Sequence, residues 1–242
     1  MTTKPAMIDI RSAILAALPK DLLLDLEDRL SAEAMKAFDV VRRELPLNAK
    51  RSREAEGQIR FRLQEQGYEE VVQLHGGQLL LNGVMLGTDL KVFQPFARFN
   101  GPGLGVILGF ASMPERRKIP AKNMSRAAGV TLNVHLQPSM FNDVHSPKPT
   151  DLFALFLTAR DRERAGMIEE IAIGVIGSDY KDFIFYESLD AFLGGYEAGP
   201  VEFDAPHAPA EGGGVVKLRQ SGKPFIPPEQ QPARRVENKS GD

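Results

Sequence analysis

Residues 104–113 read LGVILGFASM, residues 120–136 read PAKNMSRAAGVTLNVHL, and residues 152–158 read LFALFLT. The first and third stretches are continuous apolar runs of strand length, rich in Leu, Val, Ile and Phe. The second sets Met124, Ala127, Ala128 and Leu132 at helical spacing. Strand, helix, strand is therefore the reading of the middle of the chain. Upstream, Val71–Leu74, Gln78–Leu81 and Leu90–Phe99 are further strand-like runs, each ended by Gly, Asn or a polar residue. Downstream, Ile168–Ile176 and Phe183–Tyr186 read the same way, and Ser188–Leu193 reads as a short closing helix. The run Arg160-Asp-Arg-Glu-Arg164 alternates in sign between two apolar strands, as a hairpin tip in water does.

The N-terminal part has a different period. Ile8, Ile10, Ile14, Leu15 and Leu18 make one stripe, punctuated by Pro19. Leu22, Leu23, Leu26 and Leu30 make a second, and Ser31 is suited to cap a further helix through Met35, Phe38, Val41 and Leu45. After a break at Pro46–Lys50, Ser52 opens a helix expected to run to about Gln66 and to stop at Gly67. The expected fold class is α+β: N-terminal helices, then a mixed β-sheet with an inserted helix, then a disordered C-terminal tail. The expected organisation is a helical region at 1–50, an α+β core at 51–198 and a tail at 199–242. The tail holds 7 of the 17 prolines, a triple glycine at 212–214, and six acidic against six basic residues. Too few apolar side chains remain there to offset the entropy of ordering.

Composition narrows the function. The chain has 242 residues, a formal net charge of −2, 43% hydrophobic and 26% charged residues, and no cysteine. Thiolate metal sites, iron–sulfur clusters and cysteine nucleophiles are thereby excluded. The four histidines, His75, His135, His145 and His207, show no i,i+4 pair. The glycines of Gly101-Pro-Gly-Leu-Gly lead into a strand rather than a helix, which is not the geometry of a dinucleotide fingerprint. No G-x-x-x-x-G-K-[ST] loop and no G-x-S-x-G elbow is present. No stretch approaches the ~20 apolar residues that span a bilayer, and the N-terminus lacks a signal-peptide layout, so the expected location is the cytoplasm with no membrane partner.

Charge is distributed unevenly. Residues 42–62 hold seven basic residues, including Arg51, Arg53 and Arg60, against three acidic ones. Residues 115–126 hold Arg116, Arg117, Lys118, Lys122 and Arg126 against Glu115 alone. If these segments meet in the fold they form one phosphate-facing surface for DNA or RNA.

Three acids stand in a suggestive order. Glu56 lies on the helix before the strands, Asp89 opens a strand, and Glu115, Lys118 and Lys122 follow the next one. This order, over roughly residues 52–136, resembles that of the PD-(D/E)xK restriction-endonuclease-like superfamily. The resemblance implies a Mg²⁺-dependent phosphodiesterase in which Glu56, Asp89 and Glu115 hold the metal and Lys118 or Lys122 serves the attacking water. The strand LGVILGFASM carries no acid-x-Lys signature, and Glu115 and Lys118 stand two residues apart beyond Pro114. The catalytic set has therefore migrated, or the domain is inactive. Residue by residue, Glu56 and Arg60 also read as a helical i,i+4 ion pair. A non-enzymatic reading stands beside these: an accessory protein binding a partner through an exposed apolar stripe on residues 8–45 and through the tail.

Overall fold

The computed structural model of the chain describes residues 8–80, 92–136 and 151–197. The tail at 199–242 and Asp89 lie outside the described residues, as do His145 and His207.

Three helices come first. α1 (Ile10–Ala17) is capped by Asp9, whose carboxylate accepts from the Ser12 amide and hydroxyl. Pro19 ends it, because the residue before proline is held extended. α2 (Lys20–Glu44) is one 25-residue helix, so Ser31 is an exposed interior residue and not a cap. The reason lies in the buried stripe: Leu22, Leu26, Leu30, Ala34, Ala37 and Val41 keep three- and four-residue spacing straight through Ser31.

α3 (Ala49–Leu74) departs further from expectation. Asn48, not Ser52, caps it, accepting from the Arg51 amide at 3.0 Å. Gly67 does not stop it: a Cβ at Gly67 would lie 3.0 Å from the Arg29 side chain, so this glycine marks the close approach of α2 and α3. Val71–Leu74, expected as a strand, is the last turn of α3, with Val71 and Val72 continuing the buried face of Gln64 and Tyr68. The stop comes at Gly76, which adopts φ +79°. The Gly77 amide donates to the Val72 carbonyl and the Gly76 amide to that of Gln73, the two bonds of a Schellman motif.

Among the described residues the sheet has six strands in chain order: β1 (Gln78–Leu79), β2 (Phe96–Phe99), β3 (Gly105–Met113), β4 (Asp151–Arg160), β5 (Ile168–Ile176) and β6 (Phe183–Ser188). Every neighbouring pair is antiparallel except β3 and β4, which run parallel from Gly105↔Asp151 to Met113↔Ala159. A parallel pair needs a crossover, and α4 (Met124–Thr131) with the 3₁₀ turn Leu132–Leu136 lies on it. The chain is thus α+β with a mixed sheet and an inserted helix. α5 (Leu189–Leu193) follows β6.

Both faces of the sheet are covered, which is why β3 and β4 read as continuous apolar runs. Val106, Leu108 and Phe110 of β3, with Leu152, Ala154 and Phe156 of β4, pack with α1, α2, α3 and α5. Ile107, Ala111, Met113, Phe153, Leu155 and Leu157 point the other way, toward Ala128 and Val130 of α4. Met124, expected inside, is 72% exposed, because the helix begins at that residue and turns its first side chain away from the sheet.

Single polar residues tie these layers. The Tyr68 hydroxyl donates to the Leu108 carbonyl at 2.6 Å, joining α3 to the central strand. The Asn133 amide donates to the Phe153 and Ile176 carbonyls, and its oxygen accepts from the Phe153 amide. Arg98 of β2 grips Asp151 of β4 with two bonds of 2.9 and 2.8 Å, reaching across β3 at Gly105. A Cβ on Gly105 would overlap that carboxylate.

Candidate nucleic-acid interface

The acids proposed as metal ligands come first. Glu56 is buried, and both of its carboxylate oxygens are taken: Oε1 by Arg60 at 2.8 Å, Oε2 by Arg160 at the end of β4 at 3.1 Å. Arg60 is buried as well and reaches the Met167 carbonyl. Burial pushes its guanidinium below the ordinary arginine value, and Glu56 opposes that shift. The i,i+4 ion pair is therefore present, and Arg160 completes it from the sheet. Glu115 is exposed and accepts from Arg162 at 2.8 Å. Among the described residues no three His, Asp or Glu side chains group closely enough to hold an ion. With Glu56 saturated by arginines and Glu115 paired at the surface, these two residues do not fit a Mg²⁺ site. Lys118 is exposed, and Lys122 sets its ammonium 5.6 Å from the centre of the Tyr180 ring.

The proposed phosphate contacts divide into three kinds. Arg51 and Arg53 are exposed near the start of α3, Arg53 touching only the Ala49 carbonyl. Arg60 and Arg126 are buried and structural. Arg126 donates to the Ala121 carbonyl and to Gln94 Oε1, while its Nε is buried without a partner. Arg116 pairs with Glu170 at 3.2 Å and with Glu169, and the Glu170 contact raises its pKa. The Tyr186 hydroxyl donates to Met113 Sδ at 3.9 Å, and burial, reinforced by the Glu170 carboxylate, pushes the phenol up to about 12. Arg117, beside it, holds φ +57°, a left-handed conformation uncommon outside glycine.

Parts of the two basic segments line one cleft, but of their basic residues only Arg62 and the buried Arg126 are among its walls, and Arg51, Arg53, Arg60 and Arg116 are not. A cleft of about 700 Å³ is lined on one side by Gly57, Gln58, Phe61, Arg62 and Glu65 of α3. Its other side is Ala121, Asn123, Met124, Ser125 and Arg126, with Ser112 behind and Phe93 and Gln94 at its edge. A smaller cleft of about 390 Å³ adjoins it, sharing Arg62, Glu65, Phe93 and Gln94. The floor is framed by hydrogen bonds. Asn123 caps α4 through the Arg126 amide and donates to Gln94 Oε1, and the Phe93 amide donates to Ser125 Oγ at 2.8 Å. That frame holds residues 93 and 94 against the start of α4.

The cleft walls are unlike an ordinary surface. Phe93 is 71% exposed beside the exposed Met124. The Arg62 guanidinium lies over Phe61, 5.9 Å from the ring centre. Phe61, Phe93, Glu65, Gln94 and Ser125 were not among the residues singled out from sequence. Pro95 was the available signal: it interrupts Leu90–Phe99, so the strand begins only at Phe96 and Phe93 falls outside it.

The apolar stripe of residues 8–45 is covered within the chain. Leu22, Leu23, Leu26 and Leu30 are fully buried, leaving Leu24, Val40 and Leu45 at the margin. No described helix is long and apolar enough to cross a membrane. No protein-family model matches the chain, and no curated protein or solved structure shows significant similarity to it.

Proposed function

We propose that this chain is a nucleic-acid-binding protein that holds a single strand in the α3–α4 cleft without metal-dependent cleavage. The observation that carries this reading is the convergence of segments 42–62 and 115–126 on one cleft that also presents Phe61 and Phe93. Basic side chains track a backbone, and aromatic faces stack bases, with about 1–3 kcal/mol per stacked base. A duplex offers its bases no such access, so a single strand fits better than double-stranded DNA. The arginine partners of Glu56 and Glu115 support binding over cutting. The proposed location is the cytoplasm. A second reading, docking of a protein partner, is favoured by the exposed Phe93 and Met124 alone.

The test is fluorescence anisotropy with labelled single-stranded DNA, single-stranded RNA and duplex of equal length, over a range of salt. Binding of the single strands that weakens with salt is expected, with a slope near −0.7 per phosphate contact. Absence of salt-sensitive binding would refute the proposal. Incubation of the same strands with Mg²⁺ or Mn²⁺ against EDTA should leave them intact. Cutting that disappears in Asp89→Ala would show instead that the nuclease reading holds.

A further inference from the structure

The end of the α2–α3 hairpin is a surface that the cleft does not use. Between Val41 and Glu56 no residue is buried, and residues 42–51 are exposed without interruption. None of them lines either cleft. Charged and apolar groups meet there. Five basic residues, Arg42, Arg43, Lys50, Arg51 and Arg53, stand against Glu44 and Glu54. Arg43 pairs with Asp39 at 3.6 Å, Arg42 lies over the Phe38 ring, and Arg53 reaches the Ala49 carbonyl. Among the described residues Arg42, Lys50, Arg51 and Arg53 have no acidic partner.

Leu45 and Leu47 flank Pro46 and are 36% and 40% exposed. The turn that carries them is well held. The Leu47 amide donates to the Leu45 carbonyl at 2.8 Å across Pro46, a three-residue turn. Ser52 Oγ donates to the Leu47 carbonyl, and Asn48 caps α3. A preformed turn that keeps two leucines in water loses little further entropy when they are covered.

We infer that this hairpin end docks on an anionic phospholipid surface. Leu45 and Leu47 enter the boundary between headgroups and acyl chains, and the Lys and Arg side chains around them meet the lipid anions. Charge and polarity together decide the occupant. A nucleic-acid strand would satisfy the cations alone: leucine has no π face on which a base stacks, and residues 42–55 include no aromatic side chain. An apolar tip ringed by cations matches hydrocarbon beneath an anionic layer. The long stems of Lys and Arg lie along apolar surface while their charges stay among the headgroups. Such a contact lies on the membrane and needs no spanning helix, and among the described residues there is none. Anionic lipid is carried by the cytoplasmic leaflet, in keeping with the proposed location. The inference does not rest on nucleic-acid binding.

The experiment uses the full chain and sedimentation with vesicles of phosphatidylcholine alone or with about one third phosphatidylserine. Binding to the phosphatidylserine vesicles is expected, weakening as salt rises, with phosphatidylcholine vesicles left unbound. Arg51→Gln should weaken binding about fivefold, as one cation near an anionic surface does. The chain has no tryptophan, so Leu47→Trp supplies a single reporter of depth. Its emission should shift to the blue on phosphatidylserine vesicles. Leu24→Trp, at an exposed site about 30 Å back along α2, should not shift. The wild-type preference needs no variant, so misfolding cannot mimic it. Failure to bind phosphatidylserine vesicles, or equal binding to both kinds, would overturn the inference. Binding without a blue shift in Leu47→Trp would show that another surface makes the contact, and would overturn it too. No vesicle binding together with weaker single-strand binding by Arg51→Gln would make the hairpin end a nucleic-acid contact instead. The vesicle assays contain no nucleic acid, so their failure leaves the proposed function standing.

Discussion

Glu56 and Glu65 sit on the same helix and are treated oppositely by the fold. Glu56 faces the end of the sheet and has an arginine on each oxygen. Glu65 lines a cleft, has one arginine on one oxygen, and buries the other with no hydrogen-bond partner among the described residues. Both are acidic residues on a helix that carries as many acidic as basic side chains, and both lie near an arginine in sequence. What separates them is whether the tertiary structure completes their hydrogen bonding. A finished carboxylate is part of the scaffold. An unfinished one is a hydrogen bond the scaffold forgoes.

The largest expected effect breaks the finished side. Glu56→Ala strands the buried Arg60, and should cost about 3–5 kcal/mol in urea unfolding. Glu65→Ala, by contrast, removes a carboxylate that is half unsatisfied, and should change stability by less than about 1 kcal/mol. Equal losses in the two variants would erase the contrast. The double variant Glu56→Leu with Arg60→Met sharpens it further. Replacing a buried ion pair by apolar groups of similar size is often near neutral, so most of the single-variant loss should be recovered.

A third carboxylate, Glu170, provides an intermediate case, buried and paired with Arg116. Tyr186→Phe removes a hydroxyl that donates to Met113 Sδ and leaves that ion pair, with an expected cost of about 1 kcal/mol. The phenol gives this neighbourhood a pH signature. Its folded pKa, about 12, lies above the ordinary 10.0, so the folded state holds the proton more tightly. The resulting stability is fully present below pH 10 and is lost as pH rises from there through 12. Tyr196, also pushed up to about 12 by burial, contributes in the same direction. Absorbance of tyrosinate should therefore appear late, together with loss of circular dichroism, and normal titration near pH 10 would contradict the burial of these rings.

The smallest effect concerns Arg62. Its pair with Glu65 is at the surface, with 74% of the arginine side chain exposed, so Arg62→Ala should alter stability by no more than about 0.5 kcal/mol. Its mark should appear in binding, where the salt slope for a single strand falls by about 0.7 if the guanidinium meets a phosphate.

Much of the fold was legible because local pattern and tertiary burial agree there. β3 and β4 are apolar on both faces, β5 is so beyond Glu169 and Glu170, and all three stand within a residue or two of where their runs lie. The pair Glu56–Arg60 is legible too, since i,i+4 spacing on a helix brings such residues together. Legibility failed where one local signal served two structures. Gly67 looks like a helix stop, yet its missing side chain makes room for Arg29. Val71–Leu74 looks like a strand, yet it completes a helix whose buried face runs through the polar residues Glu56, Arg60 and Gln64, and so hides its period.

The candidate site shows the same division. That two segments are basic is written in the residues themselves, as are the absence of thiols and the strand–helix–strand order. That these segments share a cleft is a consequence of α3 crossing beside the start of α4, about sixty residues later in the chain. Phe93 stands open because Ser125 fixes its backbone. Glu56 is satisfied because β4 ends at Arg160. Sequence determines which groups a chain carries and the period at which neighbours recur. Only packing over long chain separations decides which of those groups are withdrawn from water, which find partners, and which are left facing an opening.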